Sequence, residues 1–581
     1  MKSIREMQKF PTKNIDYSRL QDKEHRPIKF TLSGELGFRL YRSTQRIEEA
    51  LPYSKEYILS QVFSKREQWT NYPRFHGDIA GRWILAETYA HSAEQNPPDQ
   101  LKEIIDSLLE IQNEDGSFGF ISYEENPLNM QKAYGNGWTL KALSQYAFTF
   151  RSEEVKRSAC RLGEYYINTF ETWRQAGLTG REAKYYAVSI NCYYHVLDGL
   201  LTLFRLTNNA RYLNLIEKFI PQLPSLDDSL HAHMYLSVRR GLLAYYKFTG
   251  NKSHIDSLQT ELKRVYKDLI LESGGVPECF WPNRAVQEDE ACALFDWLIL
   301  TMSMHEATED CEWLYYGILN LENHIYYNQI YNGGFGSYHL GDTYWQQGKE
   351  APWCCSLFGP FGLIEAGSLL VQKKGETVEI NHLVSGEFTF DGGETIRIKK
   401  DDEKSFFYID VSDAPSINKI SIFNPFWLEF TGITGNVIDE RFIFDISGLR
   451  VFHVSYTYRL WVSNKGKSPN KKLSFKEGES VVLFYGPWML CHRFPSQTIQ
   501  VKLDLNEDGF VTNDRKDYLL GINYYGESVR VIIPTNRTFE PTNPELGVFE
   551  KPGELYLYPL RDKESPSHAA SAVCAYREYP N

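Results

Sequence analysis

The spacing of apolar residues changes once along this 581-residue chain, and that change constrains the fold more than any single motif. From about residue 75 to 370 apolar positions recur at helical spacing, as in "GRWILAETYAHSAE", "GNGWTLKALSQYAFTF" and "LDGLLTLFRLTNNARYLNLIEKFI". Within this span an apolar helix repeatedly ends in an aromatic, breaks over a few polar residues and begins again. The breaks are "FRLTNNARYL" at 204–213, "YKFTGNKSHI" at 246–255 and a looser "MHEATEDCEWL" at 304–314. Glycine or asparagine in the break supplies a helix C-cap, so each unit reads as a helical hairpin. Hairpins recurring in this way must bury their faces on one another. Five or six of them predict a closed (α/α) toroid rather than an open solenoid, although periodicity alone does not establish closure.

After about residue 372 the period becomes two. "GETIRIKK", "KSFFYIDVSD", "VFHVSYTYRLWVS", "ESVVLFYG", "ESVRVIIPTN" and "GELYLYPL" read as strands separated by "DGG", "KEGE" and "NEDG" turns. Strands this short and this numerous predict one or two β-sandwiches. The expected organisation is an N-terminal arm at 1–70 packing on the β-domain, a helical barrel domain at 71–371 and β-sandwich structure at 372–581. A chain of this length is too long for a single core.

Bulk properties narrow the partners. A net charge of −12 gives no basic footprint for nucleic acid or an anionic membrane. The longest nearly apolar run, "ALFDWLILTMSM" at 293–304, is too short to span a bilayer and contains Asp296. The N-terminal "MKSIREMQKFPTKNIDYSRL" has no apolar signal-peptide core, and nine cysteines show no repeating disulfide framework. The expectation is a cytoplasmic protein, with a homodimer left open. The 38 Tyr, 34 Phe and 12 Trp suit a sugar ligand, and equally a large core.

Three stretches concentrate reactive side chains. In "GGVPECFWPNRAVQEDEACALFDWL" at 274–298, Glu290 and Cys292 stand two apart where an acidic turn opens an apolar helix. Residues at i and i+2 do not share a helix face, but at a loop-to-helix junction they can converge on one ion. The same pattern is also what an acidic helix start with a buried cysteine would give. In "EAPWCCSLFGPFG" at 350–362, Cys354 and Cys355 precede a second apolar helix. They are either small core residues or thiolates favoured by a helix N-terminus. Together the two stretches offer one carboxylate and three thiolates, a set that suits tetrahedral zinc. The third group comprises polar residues at helix starts: "FHGDIAGRW" at 75–83, "AYGNGW" at 133–138 and "LHAHMY" at 230–235. In a toroid such positions can line a mouth, although a lone histidine there is often structural.

With these motifs in place the chain resembles glycoside hydrolase family 127, which contains bacterial β-L-arabinofuranosidases. "LLEIQNEDGSFG" at 108–119 is similar to the family's Q-x-x-D-G-[YF]-L-x segment, and "LFRLTNNARYL" to L-Y-x-x-T-G-D-x-R-Y-L. "HAHMYLSVRRGLLAYYKFTGN" resembles its H-A-[NH] helix and the hairpin after it. Glu290-Ala291-Cys292 matches E-[TS]-C, Cys354-Cys355 matches the C-C pair, and "FYGPWMLC" at 484–491 is similar to R-G-P-L-V-Y-C. The resemblance implies an (α/α)6 barrel followed by β-sandwich domains, and an exo-acting retaining hydrolase of plant-derived oligosaccharides. It further implies Zn2+ held by Glu290, Cys292, Cys354 and Cys355, with Cys354 as nucleophile and Glu278 as acid/base. Glu272 and Glu288 are the other glutamates considered for that last role. His76 and His231 correspond to polar positions around the sugar. Bulky Tyr193, Tyr194 and His195 stand where the family is rich in glycine. The competing expectation is a non-catalytic carbohydrate-binding or structural protein with a zinc-stapled barrel. A different toroid enzyme ranks behind both.

Overall fold

The computed structural model describes residues 11–20, 25–63, 75–119, 129–176, 189–280, 288–330, 332–339, 349–401, 405–446, 450–463 and 482–492, with short strands beyond. Among the described residues the helical part comprises six helix pairs, five of them hairpins and the sixth joining the first helix to the last. Outer helices are α1 (Gly34–Glu48), α3 (Asp99–Ile111), α5 (Glu153–Ala176), α7 (Ala210–Phe219), α9 (Lys252–Leu269) and α11 (Glu312–Leu319). Inner helices are α2 (Asp78–Ala90), α4 (Met130–Phe150), α6 (Leu197–Thr207), α8 (Ala232–Thr249), α10 (Ala291–Thr308) and α12 (Cys355–Gly367). Each inner helix packs on the next, and α12 returns to pack on α2, which closes the ring.

Sequence pattern separates the two layers. Every residue of α2 is buried, as expected of a helix enclosed on all sides, whereas α3 buries only the stripe Leu101, Ile104, Ile105 and Leu108. The predicted breaks form the hairpin turns. Asn208 and Gly250 take the left-handed C-cap, and Asn209 and Asn251 then cap the next helix through their side chains. In the looser third break Glu309 takes the left-handed conformation without being Gly or Asn, which explains its weaker signal.

The N-terminal segment contributes to both halves. Strands Asn14–Asp16 and Lys29–Ser33 lead a seven-stranded sheet that continues through Ser385–Thr389, Thr395–Asp401, Phe406–Asp413, Val451–Tyr458 and Leu428–Thr431. The next element, α1, packs on α12 as the outer helix of the ring. A five-stranded sheet faces the first across Phe430–Phe442 and Phe444–Phe452 ring contacts of 5.2 and 5.7 Å. A third sheet contains Leu460–Ser463, Val482–Tyr485 and Trp488–His492. It is keyed to the barrel where Asn323 donates to the Pro487 carbonyl at 2.8 Å and accepts from the Met489 N–H at 2.7 Å. No described helix is long and apolar enough to cross a membrane.

Candidate metal centre and active site

The strand Glu288–Glu290 runs directly into α10, so Glu290 is the N-cap residue and Cys292 lies in the first turn. Extended backbone at Glu290 (φ −106°, ψ 128°) removes the i, i+2 divergence of a continuous helix. Cys354 similarly caps α12, and Cys355 begins it. Because α10 and α12 are neighbours in the closed ring, the two junctions meet at its mouth.

There one ligand atom each from Glu290, Cys292, Cys354 and Cys355 falls within 4.8 Å of the others. The Cys292 and Cys355 sulfurs are 3.7 Å apart, those of Cys354 and Cys355 are 3.6 Å apart, and Cys355 Sγ is 4.0 Å from Glu290 Oε1. A tetrahedral ion with metal–sulfur bonds of about 2.3 Å would separate neighbouring sulfurs by about 3.8 Å. Burial pushes the Glu290 carboxyl and the Cys292 and Cys355 thiols up. The Cys354 thiol is brought down to about 6 by hydrogen bonds from Cys292 and Cys355. Glu290 Oε2 is buried with no hydrogen-bond partner. Four donors in one small volume, three of them resisting ionisation and one oxygen orphaned, are the surroundings a metal cation would satisfy.

A second group shares Glu290. The His231 ring, Glu278 and Glu290 also place ligand atoms within 4.8 Å of one another. His231 Nε2 is 3.8 Å from Glu278 Oε1 and 3.7 Å from Glu290 Oε2. Glu278 is held there by its backbone: its carbonyl accepts from Ala232 N–H at 2.9 Å, Phe280 N–H donates to Leu230 at 2.8 Å, and Pro277 pairs with Asp289. Glu272 sits beside Tyr266, which stacks on Tyr316 of α11, and is not among the side chains that converge with His231 and Glu290. The Glu288 side chain lies outside the described residues.

His76 is placed two residues before α2, its ring against Gly119 and near Lys132, and is not among the groups that converge on Glu290. Burial, with the Lys132 charge, pushes its imidazole down to about 3, so it is neutral. Tyr193 and Tyr194 turn outward, Tyr193 stacking on Trp173 at 4.6 Å and Tyr194 meeting Phe219 at 5.2 Å. Only His195 faces inward, against Tyr134 and Trp138 at 4.6 and 4.9 Å.

The residue that sequence reasoning missed is Arg82 of α2. It is 2% exposed and donates to Asp78 at 2.7 Å, to Tyr134 Oη at 2.5 Å and to Cys292 Sγ at 3.4 Å. His233 Nε2 lies 3.0 Å from its Nη2, and His233 Nδ1 is 2.5 Å from Asp296 Oδ2. A chain of buried polar groups thus runs from the cysteine cluster through Arg82 and His233 to Asp296, linking inner helices α2, α8 and α10. Its signal in the sequence was an acid and a base four apart in a helix with no exposed face.

The model of the GH127 β-L-arabinofuranosidase catalytic domain matches residues 38–357. No curated protein matches the sequence. Similar solved structures include a GH127 β-arabinofuranosidase, with a TM-score of 0.62 at 13% identity, covering 95% of this chain and 96% of that one. A GH127 β-L-arabinofuranosidase from Geobacillus stearothermophilus T6 gives 0.60 at 14% identity over 92% and 97%. Both likenesses are to the fold.

Proposed function

Since the chain belongs to glycoside hydrolase family 127 and is therefore a glycoside hydrolase, we propose that it is an exo-acting, retaining, β-L-arabinofuranosidase-like enzyme acting on plant-derived oligosaccharides. The observation that carries the reading is the convergence of Glu278, His231 and the Glu290–Cys292–Cys354–Cys355 set at one mouth of the barrel. The donor set is soft and four-membered, which favours Zn2+. Bound zinc would hold the thiolates ionised at neutral pH.

In this reading Cys354 Sγ attacks the anomeric carbon, forming an S–C bond as the glycosidic C–O bond breaks. Glu278 gives its proton to the departing oxygen, which leaves as an alcohol. Glu278 then takes a proton from water, whose oxygen attacks the same carbon and releases the sulfur. Two displacements retain the anomeric configuration. His231, between both carboxyls, orients Glu278, and Arg82 fixes the Cys292 sulfur by donating to it. The neutral imidazole of His76 can donate to or accept from a sugar hydroxyl.

The test is covalent. A haloacetamide derivative of L-arabinofuranose should label Cys354 and abolish hydrolysis, and Cys354→Ser should remove activity on 4-nitrophenyl β-L-arabinofuranoside. A Cys354→Ser protein that retains activity would eliminate the thioglycosyl intermediate. Labelling of Cys355 instead would reverse the roles of the two cysteines.

A further inference from the structure

The segments that carry the two carboxylates are joined by a polar array that the proposed chemistry does not use. Ser273 Oγ is 2.6 Å from His324 Nε2, and His324 Nδ1 is 2.9 Å from Asp289 Oδ2. The order Ser–His–Asp is that of a hydrolase triad, but Ser273 is 2% exposed and the other two are fully buried, so no substrate reaches the hydroxyl. What the array does span is the backbone of the site. Ser273 lies five residues before Glu278, and Asp289 immediately precedes Glu290. The two segments also touch where Pro277 pairs with Asp289.

His324 belongs to a π-helical turn, Asn320–Ile325, whose other side chains grip the same segment. Asn320 donates to the Gly274 carbonyl at 2.9 Å, and Asn323 to the Ser273 carbonyl at 3.3 Å. Gly274, at φ +90°, and Gly275 let the segment approach this closely. A Cβ on Gly275 would fall 2.5 Å from the His324 ring. Through Asn323 the turn is joined to Pro487 and Met489 of the third sheet. π-turns inside helices concentrate at functional sites, and here the turn is what points His324 and Asn323 at one segment.

We infer that His324 is a positioning residue, cross-linking Ser273 to Asp289 so that Glu278 and Glu290 keep a fixed separation, with the third sheet as the anchor. The inference rests on the reading of Glu278 as acid/base. Its signature is leaving-group dependence: a displaced general acid harms substrates whose departing oxygen needs a proton and spares those whose does not.

The experiment compares kcat/KM on methyl and 4-nitrophenyl β-L-arabinofuranosides for the wild type, Ser273→Ala, His324→Asn and Glu278→Gln, with metal content and melting temperature measured for each. Ser273→Ala removes one oxygen, and His324→Asn keeps a donor near the Nδ1 position while losing the reach to Ser273. Both should lower kcat/KM on the methyl glycoside by roughly 10-fold to 100-fold, the scale of lost supporting hydrogen bonds and ångström-scale misplacement. The nitrophenyl glycoside should change far less. Should His324→Asn not fold, Ser273→Ala decides the matter alone. Equal losses on both substrates, or none, beside a Glu278→Gln protein that does discriminate, overturn the inference and leave the proposed function standing. A Glu278→Gln protein that does not discriminate, or a wild type inert on both glycosides, overturns the reading of the site and the inference with it.

Discussion

Replacing Arg82 with methionine probes the barrel interior and the cysteine cluster together. Methionine keeps the length of the side chain and its packing on Trp138, over which the guanidinium lies at 4.3 Å. It removes donors to Asp78, Tyr134 and Cys292, and leaves the Asp78 carboxyl, 5% exposed, without its counter-charge. Breaking a buried pair from one side costs about 3–5 kcal/mol. In a domain of roughly 300 residues each kcal/mol moves the melting temperature by about 1.5 °C, so a fall of about 5–8 °C is expected. Burial already pushes the Asp78 carboxyl up, and Arg82 is what pulls it down. Without Arg82 its folded pKa rises further, and a raised carboxyl costs stability above that pKa and none below its unfolded value. The deficit of Arg82→Met should therefore shrink between pH 8 and pH 5. Asp78→Asn in the Arg82→Met background should recover about 2 kcal/mol relative to additivity. Calorimetric scans of the four proteins at both pH values read this out. A deficit under about 1 kcal/mol, strict additivity, or a deficit independent of pH would refute the account, because each requires that Asp78 not depend on Arg82.

The cluster predicts about one zinc per purified chain, and Cys292→Ser should lower both zinc content and melting temperature because binding energy is also folding energy. Cys160 and Cys192 lie outside the cluster, so alanine at either should leave elemental analysis unchanged. Asp198 gives a pH test. Burial alone would raise it, but Lys141 and Arg240 bring it down to about 2. Its contribution, about 2 kcal/mol for a depression of this size, is present above the unfolded carboxylate range and lost as pH falls through about 2. The stability gap between wild type and Asp198→Asn in urea melts should therefore close as pH falls from 5 to 2, and a constant gap would contradict it. Gly119→Ala strains a φ of +86° and places a Cβ 2.3 Å from His76 Nδ1. Displacing His76 should raise KM on the nitrophenyl glycoside more than it lowers kcat, and unchanged kinetics would remove His76 from the substrate site.

What the sequence determined was local. Helical spacing marked the hairpins, and Asn208 and Gly250 marked their turns, because a left-handed C-cap depends on one residue and its immediate neighbours. The same holds for the passage to period two near residue 372, since alternation reports that one strand face is buried without saying against what. The E-x-C and C-C pairs were legible because soft donors at helix starts are unusual in any setting. Closure of the ring depended on α12 meeting α2 across more than two hundred residues, and no window of sequence holds that contact. The same limit hid α1, whose apolar stripe fits a barrel as well as an arm. It also hid Arg82, whose partners Asp78, Tyr134 and Cys292 come from three different helices. Periodicity names the face that must be covered. The path of the chain decides what covers it, and a buried polar side chain such as Arg82 or His324 acquires its role only from the partners that path brings within hydrogen-bonding distance.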